Sequence, residues 1–145
     1  RHKDFQDLIR PNDLNIIDWL AMGDKFYGLG EIIEKIKKPL VHGAVFIAIQ
    51  KDVNKELGMG GQWGEHLASL YLTIDFERLT VKKAKKWSND NPNGKTWGFK
   101  IEDRGTHFND IHPLKKCGVC YQGKAKGRDC VICSGTGWVS VREVF

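Results

Sequence analysis

The sequence predicts an α/β protein: parallel strands joined by a helix, then an antiparallel hairpin, then a small four-cysteine module. Three observations carry this. Two apolar runs, Leu14 to Leu20 and Ala44 to Gln50, flank an amphipathic stretch, the spacing of a strand, crossover helix and parallel strand. Thr96 to Ile101 alternates apolar and polar residues just after the turn signal Asn91-Pro92-Asn93-Gly94, as one arm of an antiparallel hairpin does. All four cysteines fall between residues 117 and 133.

Each element follows from local chemistry. Residues 4 to 10 read as the end of a helix that Pro11-Asn12-Asp13 breaks. The β-branched pair Ile16 and Ile17 makes Leu14 to Leu20 a buried strand. Residues 28 to 38 place Leu29, Ile32, Ile33 and Ile36 on one helical face. Lys35, Lys37 and Lys38 suit the C-terminal end of its dipole, and Pro39 limits it. Lys51 to His66, with Gly58, Gly60, Gly61 and Gly64, reads as a loop of functional length. Ser69 to Asp75 is a third strand and the lysine-rich run Leu79 to Trp87 a fourth. Composition shifts at Pro113, which divides the chain into residues 1–112 and 113–145.

Composition narrows the function. Of 145 residues, 41% are hydrophobic and 28% charged, a globular balance rather than a disordered one. No apolar run approaches the roughly 20 residues of a membrane helix. A formal net charge of +5 favours acidic partners such as nucleic acid. No secretory signal opens the sequence, so the clustered cysteines point to metal rather than to disulfides.

Cys117-Gly118-Val119-Cys120 and Cys130-Val131-Ile132-Cys133 form two C-x-x-C pairs. A two-residue gap lets both sulfurs of a pair face one point, and two such turns complete a tetrahedral, closed and therefore structural Zn2+ site. Redox pairs, free thiols and iron remain alternatives. The second pair continues to Gly135 and Gly137 as C-x-x-C-x-G-x-G, and in this it resembles the cysteine-rich repeat of DnaJ-type co-chaperones. The first pair departs from that pattern, reading Cys120-Tyr121-Gln122-Gly123. The resemblance implies a zinc knuckle. Lys115, Lys116, Lys124, Lys126 and Arg128 surround it as a basic rim, suited either to phosphates or to solvent.

Asp18 and Gln50 end the two apolar strands, and ligands of parallel sheets gather at carboxyl strand ends. In its order of elements, from Leu14 to about Asp110, the sequence resembles the C-terminal half of a RecA-type ATPase core, close to DnaB-type helicases and their phage relatives. The matching features are a strand with Asp18, a helix, a strand with Gln50, a Gly-rich loop, the strand Leu70 to Asp75, Lys83-Ala84-Lys85, and a closing hairpin from Asn93-Gly94 to Gly105-Thr106-His107-Phe108. The resemblance implies a partial RecA-like core in which Asp18 coordinates the Mg2+ shell. Gln50 couples the γ-phosphate of ATP to a DNA-binding loop, and Lys85 reaches a neighbouring subunit's nucleotide. Trp87 stands where the family often carries Arg. The lysines from Lys82 to Lys86 read equally as a solvated strand edge. The candidate nucleic-acid contacts are Lys51, Lys55, Gly60, Gly61 and Trp63, with Trp63 the best-placed aromatic for stacking on a base.

A phosphate loop, G-x-x-x-x-G-K-[ST], is missing. Gly94-Lys95-Thr96 ends like one, but Asn89 replaces the first glycine and the residues that follow are strand-like. The expectation is a fragment of a longer, cytoplasmic protein of a bacterial or phage-infected cell. That protein would act in DNA replication or recombination as a homo-oligomeric hexameric ring, and the 145 residues alone would not hydrolyse ATP. The alternatives are a small zinc-containing nucleic-acid-binding module without ATPase activity, and a zinc-dependent protein-interaction module. His107 and His112 read as surface histidines, His42 as structural, and Trp19 and Trp97 as core.

Overall fold

The computed structural model describes residues 4–18, 20, 28–52 and 55–141. The chain divides into two compact units, Arg1–Ser69 and Leu70–Phe145.

In the first unit, β1 (Leu14–Ile17) and β2 (Ala44–Ile47) pair in parallel, with Leu14 opposite Ala44 and Ile17 opposite Ile47. Helix α1 (Leu29–Lys37) connects them and buries Leu29, Ile33 and Ile36, the face its spacing predicts. Leu20, Leu29 and Ile33 form the core, with Phe5, Ile47, Ile49 and Leu67 packed against it. Leu14, Ile16 and Phe46 stay exposed.

Backbone polarity fixes how the strands enter. The Asn15 side chain accepts from Arg10 N at 2.9 Å and donates to Asp13 O at 3.1 Å and Ala44 O at 3.2 Å. The amides of Val41 and Gly43 both donate to Pro11 O, at 2.9 and 2.8 Å. A methyl group on Gly43 would come within 2.5 Å of Asp13 O. Only glycine lets β2 start so close to the Pro11 turn.

Two expectations in this unit are corrected. Residues 4 to 10 hold a single 3-10 turn, Phe5–Leu8, not an α-helix end. A segment this short cannot recover the cost of helix nucleation, and Ile9 is already extended. The Gly-rich stretch is not all loop. It ends in helix α2 (Gln62–Leu67), which starts after Gly61 at φ 53° and sends Leu67 into the core.

The second unit is a five-stranded antiparallel sheet in the order β3-β4-β5-β6-β9. Its strands are β3 (Leu70–Asp75), β4 (Arg78–Ala84), β5 (Thr96–Glu102), β6 (His107–Lys116) and β9 (Trp138–Ser140). A separate hairpin, β7 (Lys124–Ala125) with β8 (Arg128–Asp129), lies between β6 and β9 in the chain. The protein is therefore mixed α/β. Parallel pairing among the described residues is confined to β1 and β2, and Leu70–Asp75 pairs antiparallel with β4 in the other sheet. The composition shift at Pro113 falls inside β6, and the break between units falls at Ser69 and Leu70.

The β3-β4 turn is Phe76-Glu77, with Glu77 at φ 52°. An Arg78–Asp75 ion pair at 2.8 Å clamps it. Thr73, Val81, Ala84, Thr96 and Phe99 are buried, and Phe99 stacks on Phe108 at 4.5 Å between centroids. Asn93 substitutes for a strand at the open end of β4: its Oδ1 accepts from Ala84 N at 2.5 Å. Asn93→Ala orphans that amide and should lower the stability of this unit by about 1 kcal/mol, read as a lower urea midpoint at constant slope.

Candidate functional site

Strand β6 ends at Lys116 and delivers Cys117 directly beyond it, where the Cys117 amide donates to Gly137 O at 2.9 Å. The first C-x-x-C turn leads into the β7-β8 hairpin, which returns the chain to Cys130, whose amide donates to Gly123 O at 2.7 Å. The second C-x-x-C turn then leads into β9. The excursion thus starts and ends at one sheet edge, and all four sulfurs converge.

The Sγ atoms lie within 4.8 Å of one another. Cys117 and Cys130 are 3.9 Å apart, Cys120 and Cys133 3.5 Å. A tetrahedral ion with bonds of about 2.3 Å needs sulfurs about 3.8 Å apart, so the four residues can hold one metal ion. Cys117, Cys130 and Cys133 are buried, Cys130 at 2% exposure, and none of the four is in a disulfide. With four protein ligands and no open position, such a site is structural.

The thiols are electrostatically unequal. Burial raises Cys133, but the Gly137 N–H, 3.2 Å from its sulfur, and the neighbouring thiols outweigh burial and bring it down to about 7. Burial and the other thiols push Cys120 up to about 12. Cys133 thus ionises readily, whereas Cys120 needs a cation beside it to do so.

Two glycines that the metal-ligand reading does not single out hold the turns together. Gly123, at φ 85°, lies so close to Gly135 that any Cβ would collide with the Gly135 carbonyl. Gly137, at φ 79°, packs on Gly123 N and Gln122. The C-x-G-x-G spacing of the second turn signals Gly137. Nothing local signals that Gly123 meets Gly135, because that contact is long-range.

The strand-end candidates lie in the first unit. Asp18 follows β1 directly and is exposed, and Gln50 lies three residues beyond β2 and is exposed. Because β1 and β2 run parallel and in register, both residues sit at the carboxyl end of the pair. An open cleft of about 510 Å³ runs along β1, lined by Phe5, Leu8, Arg10, Leu14, Ile17 and Asp18. Gln50 O accepts from Met59 N at 2.7 Å, tying the strand end to the Gly-rich segment.

In that segment Lys51 is half-buried with Nζ donating to Asp52 O at 3.1 Å, and Lys55 pairs with Asp52 at 2.7 Å. Gly60 presses on the Leu29 side chain, and Gly61 precedes α2. Trp63 is 64% exposed on α2. Lys85 follows β4 and is exposed, but it belongs to the second unit. Gly94-Lys95-Thr96 leads into strand β5, whereas a phosphate loop must open a helix.

His107 pairs with Asp103 at 2.7 Å and His112 covers Gly98; neither joins the cysteines. His42 is exposed and Trp97 half-buried, and Trp19 lies outside the described residues. No helix among the described residues is long and apolar enough to cross a membrane.

No known family, curated protein or solved structure matches this chain.

Metal must displace thiol protons, which compete more strongly as pH falls. Affinity should therefore drop from about pH 8 to about pH 6, read with a colorimetric chelator. Gly123→Ala leaves every ligand in place but forces the turns apart. It should weaken metal affinity by about 10- to 100-fold, the scale of lost supporting contacts around a metal site.

Proposed function

We propose that these residues form the C-terminal half of a RecA-type, DNA-stimulated ATPase of the DnaB helicase kind. Its setting would be phage or bacterial DNA replication or recombination, and it carries a structural zinc knuckle. The observation that supports this most is the juxtaposition of Asp18 and Gln50 at the carboxyl ends of two in-register parallel strands joined by a helix. In this reading ATP sits on a phosphate loop outside these residues. Asp18 holds Mg2+ through water, and Gln50 senses the γ-phosphate. The bond from Met59 N to Gln50 O makes the sensor and the segment carrying Trp63 one mechanical piece, which suits the coupling of nucleotide to nucleic acid. Exposed Leu14, Ile16 and Phe46 add support, since parallel sheets are normally covered on both faces. Lys85 would act across the subunit boundary of a ring.

A second reading, a zinc-containing nucleic-acid-binding module without ATPase activity, draws on the cysteine cluster. The cluster closes the antiparallel sheet of the second unit without any help from β1 and β2.

Alone, the 145 residues should not turn over ATP. Turnover by them that disappears on Asp18→Asn overturns the idea that the phosphate loop lies elsewhere. Joined to a phosphate-loop segment, they should hydrolyse ATP with stimulation by single-stranded DNA. Asp18→Asn should then cost about 100-fold in rate, and Trp63→Ala should remove the stimulation selectively. A rate unchanged by Asp18→Asn favours the module reading.

A further inference from the structure

We propose that the cysteine module is a second contact for single-stranded nucleic acid. It would be made by Lys126 and Arg128 of the β7-β8 hairpin, by Lys115 and Lys116 at the end of β6, and by the exposed ring of Tyr121, and it rests on the reading of the protein as directed to nucleic acid.

The turns carry the first argument. Tyr121 and Lys124 exchange backbone hydrogen bonds of 3.1 and 2.9 Å around Gln122 and Gly123, at φ 48° and 85°. Ala125 pairs with Arg128 around Lys126 and Gly127, at φ 51° and 77°. Both are two-residue hairpin turns of left-handed conformation, whose first position favours Asn, Asp or Gly. A long cation there works against the hairpin, and Lys126 makes no ion pair among the described residues. A strained position that gives the fold nothing in return points outside the fold.

Charge carries the second. Between residues 113 and 141 the only carboxylate is Asp129, and Lys124 takes it at 2.6 Å. Lys115, Lys116, Lys126 and Arg128 are exposed and have no acidic partner among the described residues. A divalent ion on four thiolates carries two net negative charges, yet the segment with it still keeps an excess of positive charge. Tyr121 is 79% exposed and its ring stacks on no other ring among the described residues. Exposed cations and an exposed aromatic ring within one short segment suit a backbone of phosphates with an unpaired base to stack. An aromatic ring stacks only on a base freed from its pair, which is why the partner is single-stranded.

The test is binding of a labelled oligothymidylate by the zinc-loaded chain across a salt series. Lys126→Asn suits the turn better than lysine does, so with Arg128→Gln it removes charge without threatening the fold. We expect this double variant to bind about tenfold more weakly, with a salt slope shallower by about 1.4 for two lost phosphate contacts, and to keep its zinc. Tyr121→Ala should weaken binding about fivefold or more, and Tyr121→Phe should not. Unchanged affinity and slope in the double variant, while Trp63→Ala binds less, overturns the knuckle contact. The proposed function then survives, and exposed Val119 and Val131 are left to a protein partner. Loss of zinc from the double variant also overturns it, because the rim then serves the thiolates. No binding by the native chain at low salt removes both readings.

Discussion

The convergence of four cysteine sulfurs is the constraint on which the C-terminal part of the chain depends. The residues between β6 and β9 include Gly118, Gly123, Gly127, Gly135 and Gly137, and their larger apolar side chains, Val119, Tyr121, Val131 and Ile132, are exposed. They cannot bury a core large enough to hold themselves, and domains of that size need another source of cohesion. The cluster buries Cys117, Cys130 and Cys133 against Ala125 and Val139 instead. Ionised thiolates at these distances would repel one another, and a cation is what can hold them together. The same convergence brings Gly137 to Cys117, which sets β9 beside β6 and completes the sheet edge. The cysteine cluster and the sheet are coupled through backbone hydrogen bonds and through Val139 of β9. Arg78, on β4, lies 5.0 Å from the Trp138 ring on β9, so the last strand is tied to the far side of the sheet as well.

In the first unit the corresponding constraint is the parallel register of β1 and β2. Parallel strands lack a tight turn to align them, and their register must be imposed by what surrounds them. Here it is imposed at the amino end by Asn15 and Pro11, which collect the backbone groups of the turn before β1 and of the entry to β2. From within, it is imposed by α1 against Leu20 and Leu67. The strand ends carrying Asp18 and Gln50 inherit their common position from that register. The Gly-rich segment is held by the Gln50–Met59 bond and by Gly60 against Leu29. It is an anchored platform for Trp63, and its glycines serve close packing as much as freedom.

By itself the sequence determined what depends on neighbours a few residues apart. The face of α1 was legible because Leu29, Ile33 and Ile36 recur at the helical period. β1, β2 and β5 were legible as apolar or alternating runs, β3 and β4 as strands overlapping Ser69 to Asp75 and Leu79 to Trp87, and the cysteine cluster as two C-x-x-C pairs. Tertiary structure alone decided the rest. Phe76-Glu77 lacks Gly, Asn or Pro, so the β3-β4 turn had no local sign, unlike the β4-β5 hairpin marked by Asn91-Pro92-Asn93-Gly94; the Arg78–Asp75 pair closes the β3-β4 turn. Helix α2 was hidden by the glycines in and before it, of which Gly60 packs against Leu29. The fit of Gly123 against Gly135, which brings the two C-x-x-C turns together, joins residues from separate turns. Short-range periodicity and spacing are written into the sequence, whereas pairing between distant segments is settled by which backbone groups and surfaces can be satisfied together.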